Sequence, residues 1–289
     1  MSPHARGVLA LVVTTLLWGA TFALGKIAYA VLTPATLTGG RYMLAALLIA
    51  YRWPGVNKAE LRHGFWLGIM QFACIAAVYQ GLLTIEAGRS SFLVSTASIM
   101  VPIAGFFLGR KITWKVWLAA IGAILGIALM TDPGRGITPG DWWTIFSAVT
   151  FAVYIFLMEQ ARDLPSTARL TAVQTTVVGI CSALWMAATG TFHMQAFQSI
   201  LSVWPVVVYL AVSGVLTILL QGIGQRTVPA PEAAIIFTLE PVFATIIAWF
   251  MLNETLTPLA TAGAALVLLA NAIAQWPTKA PEASESPKP

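Results

Sequence analysis

The chain has 289 residues, 58% of them hydrophobic and only 9% charged, with 16 Lys and Arg against 11 Asp and Glu. Soluble chains carry about 25% charged residues, so this composition excludes an ordinary soluble globule. The net charge of +5 is better explained by basic loops on one side of a membrane than by nucleic-acid binding.

Ten apolar spans are predicted in chain order: 7–30, 35–52, 64–85, 89–109, 113–131, 140–160, 167–189, 203–225, 230–252 and 257–276. Each ends near charges, Pro or Gly, and runs such as "GFWLGIMQFACIAAVYQGLL" (64–83) hold no charge over the ~20 residues a helix needs to cross hydrocarbon. The first run is too long for a signal-peptide core and reads as an uncleaved span. The tail "PTKAPEASESPKP" is polar and Pro-rich and reads as disordered. Cys74 and Cys181 sit inside apolar runs and read as packing residues.

With the N-terminus inside, the cytoplasmic segments hold 12 Lys and Arg and the outer segments hold Lys26, Arg89 and Arg135, while Arg41 lies within a span. That bias places both termini in the cytoplasm. A shift of 133 carries "ATLT" (35–38) onto "ARLT" (168–171), and a shift of 144 aligns 103–128 with 247–272 at eight identities. Five spans per half puts the halves in opposite orientations, with a site near the midplane between them. The expected fold is therefore an all-α integral membrane protein of ten transmembrane helices, arranged as two inverted five-helix repeats (1–135 and 136–276) around a central cavity, followed by the tail 277–289.

Two ionisable residues within spans stand out. Glu240 is followed by Pro241, and an acid at that depth costs roughly 2.5–3.5 kcal/mol unless it meets a partner or water. It reads either as a cavity carboxylate for a substrate ammonium or proton, or as a group satisfying backbone freed by the proline. Arg41 reads either as a snorkelling side chain or as part of an electropositive cavity. Polar residues recur at helical period in Trp18 and Thr21, Tyr79 and Gln80, Ser91, Ser95 and Ser98, Ser147, Thr150 and Tyr154, and Ser213, Thr217 and Gln221. Such stripes either glue helices or line a wet cavity. The bulky members suit a cavity for amphipathic or aromatic solutes. Trp18, Thr21, Arg41, Tyr79, Gln80, Ser95, Tyr154, Gln221 and Glu240 are the expected cavity residues, with Pro102 and Pro241 as hinges. Gly122 and Gly126 form a small-residue motif for packing within the bundle, with dimerisation the alternative. The expected protein is thus a monomer, or alternatively a homodimer.

His4, His63 and His193 form no cluster, so neither a metal nor a cofactor is expected. No nucleophile elbow, zinc-protease motif or Walker motif is present, which argues against an intramembrane enzyme and against direct ATP drive.

"LLWGATFALGK" (16–26), "LTGGRYMLAALL" (37–48), "FTLEPVFATIIAWFMLNETLT" (237–257) and "AGAALVLLANAI" (262–273) resemble the EamA-type drug/metabolite transporter superfamily. The resemblance covers about 5–275 and is strongest to bacterial aromatic amino acid exporters. It implies a ten-helix exporter of the bacterial inner membrane, acting on amino acids, or alternatively on drugs or nucleobase-like metabolites. One departure stands out: where the family has Glu after the fourth helix, this chain has Arg110.

Overall fold

In a computed structural model, described over residues 1–107, 114–130, 136–161, 163–228, 233 and 236–275, the apolar runs are helices and no strand forms among these residues. Helix is the form in which a lone apolar segment satisfies its own backbone in hydrocarbon. In chain order the helices are α1 (Pro3–Ala28), α2 (Pro34–Ile49), α3 (Lys58–Gly81), α4 (Ala87–Ser95), α5 (Ala97–Phe107), α6 (Trp114–Met130), α7 (Pro139–Ala161), α8 (Thr167–Ala188), α9 (Met194–Ser202), α10 (Trp204–Thr227), α11 (Glu240–Leu252) and α12 (Pro258–Gln275). Arg110, Arg135 and the tail beyond Gln275 lie outside the described residues.

Polar residues at the boundaries start these helices. Ser2 and Thr33 each accept from the third residue ahead, with proline in the first turn. Asn57 and Glu60 form a reciprocal capping box on α3. Five helices are long and apolar enough to cross a membrane: α1, α3, Pro139–Met158 of α7, α8 and α10. Trp117–Met130, Glu240–Leu252 and Pro258–Ile273 are shorter apolar helices. Leu47, Trp66, Leu184, Phe250 and Leu269 are among the large apolar side chains left exposed on the outside of the bundle, as a lipid-facing surface requires.

Two predicted spans are not continuous. The run 89–109 breaks at Thr96, whose hydroxyl donates to the Leu93 carbonyl as α4 ends. The run 230–252 turns at Thr238 and Leu239 before α11 begins. Pro241 therefore sits in the first turn of α11, where its missing N–H leaves no gap in the helix, rather than kinking a continuous span. Pro102 lies within α5, and its side chain is outside the described ones. The short α9 lies between predicted spans seven and eight, with Ile200 seated over Gly40 of α2.

The most extensive helix contacts all join a helix before residue 131 to one after 138: α6 to α12, α3 to α7 and α8, α1 to α10 and α11, and α2 to α8. Small residues permit these approaches. A Cβ on Gly126 would stand 2.7 Å from the Gly263 carbonyl oxygen, and one on Gly122 would stand 3.4 Å from the Cβ of Ala270. The small-residue motif of α6 is thus spent on α12. Ser98 donates to Asn271 Oδ1 at 2.8 Å, and Asn271 Nδ2 donates to Ser95 at 3.2 Å. These serines fasten the break at Thr96 to α12.

A central cavity as candidate substrate site

Between two apolar clusters lies a cavity. One cluster, including Phe22, Tyr79, Leu82 and Val94, closes it towards the end where α1 and α3 finish. The other gathers Leu11, Val228, Ile236 and Phe237, with Trp18 packed against it. The cavity is lined by α1, α2, α3, α4, α7, α10 and α11, and its empty volume is about 670 Å3 including the part open to solvent. It brings together Trp18, Thr21, Arg41, Tyr79, Tyr154 and Glu240.

Three of the nine expected cavity residues stand elsewhere. Gln80 lines a separate apolar groove with Phe72, Trp143 and Trp185. Ser95 is held by Asn271. Gln221 is fully buried one helical turn beyond Thr217, and neither of its amide atoms has a hydrogen-bond partner among the described residues. Gln71, Cys74, Phe151 and Thr217 line the cavity and were not among the expected residues. Ile75 and Gln71 could have been found by projecting the α3 sequence back from Tyr79 in steps of four.

One wall is aromatic. Trp18 meets Phe151 edge-on at 5.6 Å, and Phe151 stacks on Tyr154 at 5.9 Å. Tyr154 is fixed by Gln174, whose Nε2 donates to its hydroxyl at 3.0 Å and to Gln71 Oε1 at 2.7 Å. Cys74 contacts Ser147 at 3.2 Å, joining α3 to α7.

Arg41 is the cation of the cavity. It is 4% exposed, and its Nη1 donates to the Tyr79 hydroxyl at 2.7 Å. Its Cζ stands 4.9 Å from the Tyr42 ring centroid and 6.0 Å from that of Tyr79, both within cation–π reach. Gly214 of α10 makes the room, since a Cβ there would stand 3.3 Å from Nη2. Among the described residues no carboxylate pairs with Arg41, and its Nε has no acceptor. A buried guanidinium held by one neutral hydroxyl is under-satisfied and suits an anion.

Glu240 is the acid of the cavity. It is 6% exposed and is the first residue of α11, where the helix dipole favours negative charge by roughly 0.3–1 kcal/mol, up to ~2 when partly buried. This offsets part of the cost of an acid at that depth. No side chain among the described residues hydrogen-bonds its carboxylate or pairs with it, so the cavity itself is what Glu240 faces. The approach of α11 to α1 depends on Gly19, where a Cβ would stand 2.9 Å from the Ala244 nitrogen. The adjacent Trp18 and Gly19 therefore have separate uses: one lines the cavity and the other lets α11 in. Among the described residues no group of three His, Cys, Asp or Glu could hold a metal ion.

The profile of the EamA-like transporter family matches residues 5–132 and 138–274. An uncharacterized transporter of Archaeoglobus fulgidus is 26% identical over 263 residues, covering 91% of this chain and 83% of that protein. A probable terminal-alkyne amino-acid exporter of Streptantibioticus cattleyicolor is 27% identical over 282 residues and 91% of each chain. A solved crystal structure superposes with a TM-score of 0.65 at 18% identity, over 94% of this chain and 97% of the other, which is a likeness of fold. With the family profile covering both halves of the sequence and helices apolar enough to span a bilayer, the chain is a membrane protein that belongs to the EamA-like transporter family.

Proposed function

We propose that the protein is a secondary transporter that exports amino acids with neutral or aromatic side chains, by alternating access, across a bacterial inner membrane. The observation that carries this reading is a single cavity holding a guanidinium and a carboxylate, neither of them paired with an opposite charge among the described residues, beside an aromatic wall. A zwitterion presents a carboxylate for Arg41 and an ammonium for Glu240, while Trp18, Phe151 and Tyr154 accommodate an apolar side chain. The relative named as an amino-acid exporter supports the same class.

The transport machinery is ten spans in two inverted repeats with both termini cytoplasmic. The two family matches at 5–132 and 138–274 support that division. So do the two helix breaks, because the shift of 144 carries Thr96 to Glu240. In that arrangement α4 with α5, and the residues before α11 with α11, are discontinuous spans whose ends meet the cavity, as broken helices do in other transporters. The protein acts as a monomer, because α12 already covers the small-residue face of α6.

The test is counterflow in proteoliposomes with L-phenylalanine, L-leucine, phenethylamine, phenylpropionate and adenine, with and without a pH gradient. Exchange of the two amino acids above the two singly charged analogues is expected. Exchange of adenine alone would move the assignment to nucleobases, and exchange of none would overturn it.

A further inference from the structure

We propose that α4 and α11 form a gate over the cavity and that Glu254 is its latch, gripping Lys26 and the first turn of α4; this rests on the transport reading above. The sequence after α11 builds the latch. Asn253 takes a left-handed conformation at φ 54°, which asparagine tolerates better than most residues, and it turns the chain so that Glu254 points back into the bundle. Glu254 Oε1 accepts from Lys26 Nζ at 2.9 Å and from the Ala87 N–H at 3.2 Å, while Oε2 accepts from the Gly88 N–H at 3.3 Å. The residue preceding α4, Glu86, does not cap it with its side chain. Glu254 does so instead, from across the sequence, with a carboxylate placed where the helix dipole favours it.

Position makes this contact a gate rather than only a cap. Below it, Val94 of α4 and Glu240 of α11 both line the central cavity. Above it, Gly88 of α4, Thr245 and Ala248 of α11, and Glu254 itself line a second hollow together with Thr84 and Thr138. The seam between α4 and α11 thus separates two hollows. Gly88 meets Thr245 closely there, since a Cβ at Gly88 would stand 3.3 Å from Thr245 Oγ1, yet the Thr245 hydroxyl has no hydrogen-bond partner among the described residues and ties neither helix to the other. Both helices are short rods that begin or end at a break on the cavity side, Thr96 for α4 and Thr238–Leu239 for α11. Lys26 and Glu254 keep 26% and 17% of their side-chain surface, so water can take over their hydrogen bonds when the seam parts. The nearby Arg89–Asp141 pair, at 2.7 Å with 8% and 4% exposure, lacks that access and holds α4 to α7 throughout.

Two experiments test the gate on the full chain with Cys181→Ser as background; labelling is read in protein that also carries Cys74→Ser, and counterflow in protein that keeps both Thr21 and Cys74. In the first, a membrane-impermeant maleimide is applied from the side where α4 begins, and labelling of Thr21→Cys in the cavity is timed. Lys26→Met should speed labelling about threefold, by loss of the ion pair alone. Glu254→Ala should speed it about tenfold, by loss of pair and cap together. Unchanged labelling in Lys26→Met, which keeps the cap, overturns the latch even if Glu254→Ala does not accumulate in the membrane. In the second, Gly88→Cys and Thr245→Cys are joined by oxidation; a Cβ at Gly88 would stand 4.0 Å from that of Thr245, inside the disulfide range. Oxidation should stop both labelling and L-phenylalanine counterflow, and reduction should restore them. Full labelling of the oxidised protein overturns the gate. Absence of counterflow for every solute in the reduced protein, with labelling still governed by the disulfide, would instead overturn the transport reading and leave the gate standing.

Discussion

Gly19 and Glu240 meet backbone to backbone: a Cβ added at Gly19 would stand 3.2 Å from the Glu240 carbonyl oxygen and 2.9 Å from the Ala244 nitrogen. The start of α11 is therefore pressed on α1 where Trp18 enters the cavity. Backbone atoms cannot step aside as a flexible side chain can, so Gly19→Ala should separate the helices and cost about 1–3 kcal/mol. A thermal melt of the purified protein in detergent checks this. An unchanged melting temperature would show that α1 and α11 are not in the contact described.

Glu240 carries the second prediction. Its carboxylate has no partner among the described residues, and on the proposed function the acid is held for a ligand rather than for the fold. Glu240→Gln preserves shape and hydrogen bonding but removes the charge that holds an ammonium, so the apparent affinity for L-phenylalanine should fall about tenfold or more. Phenylpropionate, which has no ammonium, should be handled as by the parent. Equal loss for both solutes would mean that the acid serves the helix break instead.

The third prediction concerns the opposite end of α3. Glu60 has a fully buried side chain, and Arg169 Nε donates to both its oxygens at 3.0 and 2.9 Å. This pair fastens α3 to α8. Arg169→Ala leaves Glu60 buried with only the backbone N–H groups of Asn57 and Ser166 as donors, at a cost of about 1–3 kcal/mol. The melting temperature should drop by several degrees while the affinity for exchanged solutes is unchanged, since neither residue touches the cavity.

Much of this arrangement is legible in the sequence. Charge-free runs mark the helices, and the rarity of charge within them marks Arg41 and Glu240, both of which line the cavity. The helix breaks were not legible. Nothing around Thr96 is a strong breaker, and Pro241 signals a disturbance without saying whether the helix bends or stops. Polar stripes misdirect for a related reason: Ser95 has the right period for a cavity face, yet its partner is Asn271, which is 176 residues away. Periodicity gives the face of a helix but not what stands opposite. The Asn253–Glu254 pair is visible as a motif, and only the fold shows that it reaches Lys26 and α4.

Arg41 carries the last prediction. Its guanidinium is positioned by three things: the Tyr79 hydroxyl, the ring of Tyr42, and the space above Gly214. If it receives a carboxylate, charge alone will not replace it, because the planar fork makes two parallel bonds where an ammonium makes one. Arg41→Lys should therefore raise the KM for L-phenylalanine about tenfold, a loss of ~1.4 kcal/mol in binding. Tyr79→Phe and Gly214→Ala, which disturb the fork without removing it, should each give a smaller rise. Phenethylamine has the same ring and ammonium but no carboxylate, and its KM should be the same in all four proteins. A KM for phenethylamine that rises in step with that for L-phenylalanine would show that Arg41 shapes the cavity as a whole and does not bind the carboxylate.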